Sequence, residues 1–429
     1  MARRRKMRMK FNKSSQLVLV SAASLLVAGL VTACGTLTTD FVYVASSKAA
    51  GPNNYGEIDV YEIDSESGLM RQIPTSPFPS GGRNPVAEAV SSDGADLYVV
   101  NQDDSSIVEF AIGNDGKLYP QNTYDTTGNY STTGAVDPSG IFPLAVAVNG
   151  TNLFVANTFQ PLPSCSTADP CSGSVGVYPI LTAAQAKALT PPEAPNALGV
   201  PVTNPSTGAN YWPLTLTGAN SADVIVPTGI NVLKSGSYVY VSAYDTTANT
   251  GYVFGFAVNS GVLTAVSGSP FAAGTHPSAV ASDSTGSYVY VADQTGGNVF
   301  GYSVNSGALV KLSGSPFAAG NQPSAIIADP TSGYLYVANA VDGTVNAYSI
   351  GTTGALTNLG TYVTGIDPVA IGIDPSKNHF LYTANYNPDE TYGTVSGFEL
   401  ESNGTLINSQ NSPYKANALP TAVAAVSHK

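Results

Sequence analysis

Charge is scarce in this sequence. Only 11% of its 429 residues are charged, against 43% hydrophobic, and it carries 43 glycines and 29 prolines. A chain this apolar is not a disordered one, and this much glycine and proline excludes a largely helical fold. Histidine (three), cysteine (three) and tryptophan (one) are rarer still. No G-x-S-x-G elbow, H-E-x-x-H pair, C-x-x-C or P-loop is present. The local signatures of serine hydrolases, zinc proteases, dithiol redox proteins and P-loop nucleotide enzymes are therefore missing.

What charge there is lies unevenly. Seven basic side chains crowd residues 1–13, and the apolar stretch Leu17–Val31 follows them. About 15 residues suit the core of an export signal and are short for a spanning helix. The stretch ends in Val31-Thr32-Ala33-Cys34, which resembles a bacterial lipobox. That resemblance implies a signal peptide over 1–33, a lipid on Cys34 and a short tether over 34–40. An ordinary signal peptide with an incidental cysteine and a retained signal anchor are the alternatives. With Gly35 rather than Asp after the cysteine, the outer membrane is favoured in some bacteria. The expected location is the cell envelope, on its periplasmic or outer-membrane face.

Beyond Cys34, ten basic side chains face 29 acidic ones, a balance of −19. Such a surface repels nucleic acid, so no nucleic-acid partner is expected. Cys165 and Cys171 remain, in a Pro- and Ser-rich loop. In an oxidising compartment they are expected to form a small-loop disulfide. A metal site is the alternative, although no further cysteine or nearby histidine completes one.

A short aromatic and β-branched motif then recurs seven times. Its aligned aromatics are Tyr43, Tyr98, Phe154, Tyr240, Tyr290, Tyr336 and Tyr382, spaced by 55, 56, 86, 50, 46 and 46 residues. Each motif sits in a unit of four short strands: a Pro-initiated strand, the motif strand, a third strand and a G-x-L…SPF strand. Turn signals such as SG, DG and NG separate them. About 46 residues for four strands is the size of a propeller blade. The expected fold is all-β: a seven-bladed β-propeller of four-stranded antiparallel blades over 41–429. The aromatic stripe is expected to pack between blades. The first unit lacks its Pro-initiated strand, and Pro420–Val426 supplies one, so the C-terminal strand should join the first blade and close the ring.

These motifs resemble the YVTN-repeat propellers, a group similar to the seven-bladed lactonase family with its 6-phosphogluconolactonase-like enzymes. The resemblance spans nearly all of 41–426 and implies a lactonase-type carboxylic ester hydrolase. Lactonase blades commonly open their inner strand with P-R-H, whereas here the positions read Pro277-Ser278-Ala279 and Pro323-Ser324-Ala325. With two arginines after Cys34, a phosphorylated substrate lacks its bidentate clamps.

Two rings of positions should share the channel mouth. One precedes each inner-strand proline: Asn84, Phe142, Val226, His276, Gln322, Asp367 and Leu419. The other ends each motif strand: Ser46, Asn101, Asn157, Ala243, Asp293, Asn339 and Asn385. Asn and Asp are turn formers there, or a polar rim for a ligand or a divalent cation such as Ca or Mg. Glu88 breaks the pattern, because its equivalents are Val146, Ile230, Val280, Ile326, Ile371 and Val423. Glu88 is either held by Arg83 or by channel water, or it is a general base or cation ligand. His276 is the only histidine on the mouth ring, since His379 falls in a turn and His428 at the tail. Extra material at roughly 158–226 contains the cysteine loop, a short helix expected at Leu181–Leu189, and Trp212. Two functions fit the sequence: a lipid-anchored, monomeric scaffold binding an envelope protein or a small-molecule or carbohydrate ligand, or a lactonase-type hydrolase or cation-dependent lyase.

Overall fold

A computed structural model describes residues 39–48, 54–64, 67–128, 138–168, 170–216, 223–374 and 380–427. Cys34, His379 and His428 lie outside them. Seven separate antiparallel sheets are formed, each built on a four-strand path. Their innermost strands are Leu419–Val426 in blade 1, Pro85–Val90 in blade 2, Ile141–Val148 in blade 3 and Ile225–Val232 in blade 4. Pro277–Ser282, Pro323–Ala328 and Pro368–Ile373 follow in blades 5 to 7. Each inner strand touches the next around the ring, and the last, Leu419–Val426, touches the first, Pro85–Val90. Blade 1 is completed by that C-terminal strand, which pairs with Thr39–Ser47 from Phe41↔Val426 to Ser47↔Leu419. The fold is thus an all-β seven-bladed propeller closed by its C-terminal strand.

The repeated motif works as a seam between blades. All seven aligned aromatics are completely buried. In four blades the tyrosine hydroxyl donates to a glycine carbonyl in the next blade: Tyr43 to Gly116, Tyr240 to Gly307, Tyr290 to Gly354 and Tyr336 to Gly404. These glycines turn the hairpin between third and fourth strands with positive φ. The aromatic two residues earlier in the motif packs flat on them. A Cβ on Gly354 would lie 2.5 Å from Tyr288, and one on Gly307 2.3 Å from Tyr238. Glycine is required there twice over, for its φ and for the close approach.

The SPF segments have a similar local logic. Ser76, Ser269, Ser315 and Ser412 each accept a third-strand N–H through Oγ. A backbone donor that the short outer strand leaves bare is satisfied in this way.

The extra material of blade 3 is not one block. The third strand, Ser174–Pro179, and the outer strand, Trp212–Pro213, both lie within 158–226. Trp212 is buried and pairs with Val175. The rest is a cysteine loop between Phe159 and Ser174 and an arm over 180–211. The arm holds helix α1 (Ala183–Ala188), whose Thr182 and Gln185 form a reciprocal capping box. Cys165 and Cys171 are joined in a disulfide. Among the described residues no helix is long and apolar enough to cross a membrane.

Candidate functional site

The end of each motif strand pairs with the proline that opens the inner strand, as in Asn101↔Pro85 and Asn339↔Pro323. Both rings of positions therefore lie on one face, at the channel mouth. Every inner strand begins with a bulge after its proline. In three blades the residue in the bulge is a hydroxyl that reaches the next blade's proline carbonyl: Ser278 to Pro323, Ser324 to Pro368 and Thr421 to Pro85. These bonds tie neighbouring blades together around the channel.

The second ring does not present a rim. Asn101, Asn157, Asp293, Asn339 and Asn385 are all essentially inaccessible. Asp293 accepts the backbone N–H groups of Thr275 and His276. Asn339 accepts from Gly320 N–H and donates to Asn346 Oδ1 and Thr344 Oγ1. Asn101 and Asn157 donate to Ser80 O and Ser139 O, and Asn385 donates to Thr394 and Ser396 hydroxyls. Four of these side chains clamp the crossover into their own blade directly, and Asn385 does so through Ser396, whose hydroxyl accepts the Gly365 N–H.

A second residue makes the clamp possible. Three positions before the proline stand Gly82, Gly140, Gly274, Gly320 and Gly365. A Cβ on each would come within 2.0–2.7 Å of the matching Asn or Asp side chain. The two remaining blades lack both partners, with Val224 and Ala243 in one and Asn417 and Ser46 in the other. The sequence signal that could have found this pairing is glycine recurring in the same five blades as Asn or Asp.

Glu88 points neither to the mouth nor to Arg83. Its strand partner is Val99, and its carboxyl lies in the seam with blade 1. The amides of Ala45 and Ala424 lie near enough to favour its ionised form. Neither carboxyl oxygen has a hydrogen-bond partner among the described residues. Burial pushes its pKa well above the usual carboxylate range, and the two amides oppose this only in part. The ion pair open to Glu88 in the sequence is not formed. Arg83 sits in the loop before Pro85, where its guanidinium and backbone N–H both engage Asp104. Channel water does not reach the Glu88 carboxyl oxygens either, since they are buried.

The first ring is the accessible one. Asn84, Phe142, Gln322 and Asp367 hold positive φ between 53° and 55°, a conformation that bulky side chains rarely adopt. Burial raises the Asp367 pKa above its ordinary value. His276 packs against Tyr244 with ring centroids 4.0 Å apart. Burial lowers the His276 pKa, Asp293 opposing, so the imidazole is neutral at neutral pH and can accept a hydrogen bond or a proton. A shallow depression of about 610 Å³ opens beside it, lined by His276, Gln294, Gly296, Asn321, Gln322 and Val341. It brings together two of the expected mouth residues, His276 and Gln322. Gln294, Asn321 and Val341 are not singled out by the sequence, although Gln294 follows its motif strand directly and Val341 stands two positions after its own.

Among the described residues no group of three or more His, Cys, Asp or Glu side chains is placed to hold a metal. Of the oxygens expected to join Glu88 in binding a cation, those of Asp293 and Asn339 accept crossover N–H groups of their own blades, and Asn101 Oδ1 and Asn157 Oδ1 are buried without a hydrogen-bond partner among the described residues.

The family model described as Lactonase, 7-bladed beta-propeller, matches residues 213–316 and 305–421. Among solved structures, the chain is similar to a Bacteroides fragilis protein provisionally named a 6-phosphogluconolactonase. Identity is 20%, covering 91% of this chain and 98% of that one, with a TM-score of 0.63. It is also similar to the periplasmic gluconolactonase of Pseudomonas aeruginosa, at 16% identity, 91% and 100% coverage and a TM-score of 0.65. At these identities the likeness is one of fold. No curated protein matches the chain.

Proposed function

With a seven-bladed propeller of the lactonase type as the premise, we propose that this chain is a cell-envelope binding propeller, lipid-anchored through Cys34, that takes a small neutral polar ligand at its channel mouth. The depression at His276 and Gln322 supports this reading most directly. Its side-chain lining offers amide donors and acceptors and a neutral imidazole, and the tilted His276–Tyr244 ring pair stands beside it. These groups suit a hydroxyl-rich ligand such as a carbohydrate. The acidic balance of −19 disfavours anionic ligands. Of the two arginines after Cys34, Arg83 is engaged by Asp104.

Lactone hydrolysis is the second reading, favoured by the family match and by the names of the similar structures. In that reading neutral His276 takes a proton from water as the water attacks the ring-ester carbonyl at the mouth, and returns it to the departing ring oxygen. The test is calorimetric titration of the purified protein with neutral oligosaccharides, together with lactone turnover. A His276→Ala variant that keeps its fold should lose binding at least about tenfold, in line with a lost polar contact of ~1.4 kcal/mol. Binding unaltered by His276→Ala contradicts the site. Turnover abolished by it favours the hydrolase over the binding protein.

A further inference from the structure

Blade 2 carries a second misplaced carboxylate, Glu109. It pairs across from Tyr98, at the third-strand position where blades 4, 5 and 7 have Gly255, Gly301 and Gly397. The residue is completely buried. Its Oε2 meets the Tyr124 hydroxyl at 2.5 Å and Asn122 Nδ2 at 3.3 Å. Its Oε1 has no partner among the described residues.

The groups above Glu109 belong to the arm of blade 3. Asn122 Nδ2 also donates to Glu193 Oε2 at 3.3 Å, so one amide bridges two carboxylates. Tyr124 Oη accepts the backbone N–H of Leu198 at 2.9 Å. Next to them, Tyr98 donates to Asn196 O and Asn196 Nδ2 donates to Asp96. Asn196, with φ of 67°, takes the place of the hairpin glycine of the regular seams. The arm is thus docked on blade 2 by polar bonds that converge on Glu109.

We propose that the arm over 180–198 is a pH-dependent clasp on blade 2, firmly docked while Glu109 is protonated and loosened when it ionises. An ionised Glu109 leaves one buried oxygen without a donor, and it faces the negative charges of Asp96 and Glu193 across Tyr98, Tyr124 and Asn122. Undocking the arm lets water reach that oxygen. The energetics have the required sign. Burial raises the Glu109 pKa to about 7, with Asp96 and Glu193 adding to the rise and Tyr124 and Asn122 opposing it. An exposed glutamate titrates near 4.3. The docked state therefore holds its proton more tightly, and docking weakens as pH climbs from about 4.5 to about 7.

Hydrogen exchange of the full chain, corrected for intrinsic rates, reads this at the Leu198 amide. Its protection should fall on the order of a hundredfold from pH 5 to pH 8, while the Val291 and Val337 amides in regular blades stay constant. In Glu109→Gln the Leu198 protection should be independent of pH. Tyr124→Phe, which removes the hydroxyl between Glu109 and Leu198, should lower it at every pH. Flat Leu198 protection in the wild type overturns the proposal, as does the same pH dependence in Glu109→Gln. If Glu109→Gln does not fold, Glu193→Gln decides. Removing the repulsion must move the wild-type transition to higher protection at neutral pH, and an unmoved transition overturns the clasp.

Discussion

The seam between blades 5 and 6 and the seam between blades 2 and 3 answer one requirement with different parts. In the first, Tyr290 donates to Gly354 O while Tyr288 packs on that glycine. In the second, Tyr98 donates to Asn196 O, and Asp96 stands where the packing aromatic would be and bonds the Asn196 amide. The regular seam packs apolar side chains and is crossed by hydroxyl-to-carbonyl bonds, from Tyr290, Tyr288, Tyr348 and Ser278. The irregular one keeps an apolar cluster around Tyr98 and adds to it the buried carboxyl Glu109 and a docked arm. The repeat is replaced where a buried carboxyl and a docked arm are built in.

Ring closure separates the two halves of that comparison most severely. Deleting 419–429 removes the inner strand of blade 1 and with it the contacts to blades 2 and 7. The shortened chain should fail to fold cooperatively, seen as the loss of its thermal transition. Within a seam, Tyr290→Ala should destabilise by ~3–5 kcal/mol, as expected for an aromatic deleted from a packed core. Denaturant unfolding measures it. Tyr98→Ala, also completely buried in an apolar cluster, should cost a similar amount and should expose the arm first.

Glu88→Val tests the seam between blades 1 and 2 in the opposite direction. It installs the residue type of the other blades in place of a buried, unpartnered carboxyl. Stability at pH 7 should rise by about 1–3 kcal/mol, the penalty of an unsatisfied buried group. Because the Glu88 pKa is raised in the folded state, its contribution is present at low pH and lost as pH rises above the ordinary carboxylate value. The gain from Glu88→Val should therefore be larger at pH 8 than at pH 4. Gly320→Ala, which drives a Cβ to 2.7 Å from Asn339, should cost ~1–3 kcal/mol. The smallest effect is expected for Ser278→Ala, about 1 kcal/mol for one lost hydrogen bond.

The fold was legible because each blade repeats both a period-two pattern and its turn residues. Even the closing strand could be read from Pro420 onward. The clamp was half legible, since Asn and Asp stood out and their glycine partners did not. Taken alone, those five polar residues suggested a rim, and only the inter-residue distances show them buried. The place of Glu88 could not be read, because strand alternation tells which residues share a side but not whether that side meets water or the next blade. Glu109 was hidden for a different reason. It sits opposite the conspicuous Tyr98, in a third strand whose glycine and alanine equivalents drew no attention.

The central claim is that the accessible mouth around His276 carries function, whereas Glu88 belongs to the seam. Ligand binding and lactone turnover of Glu88→Val, compared with wild type in one set of titrations, test it directly. Binding and turnover should be unchanged, on a more stable protein. A well-folded Glu88→Val that has lost either would contradict it and return the site to the carboxylate.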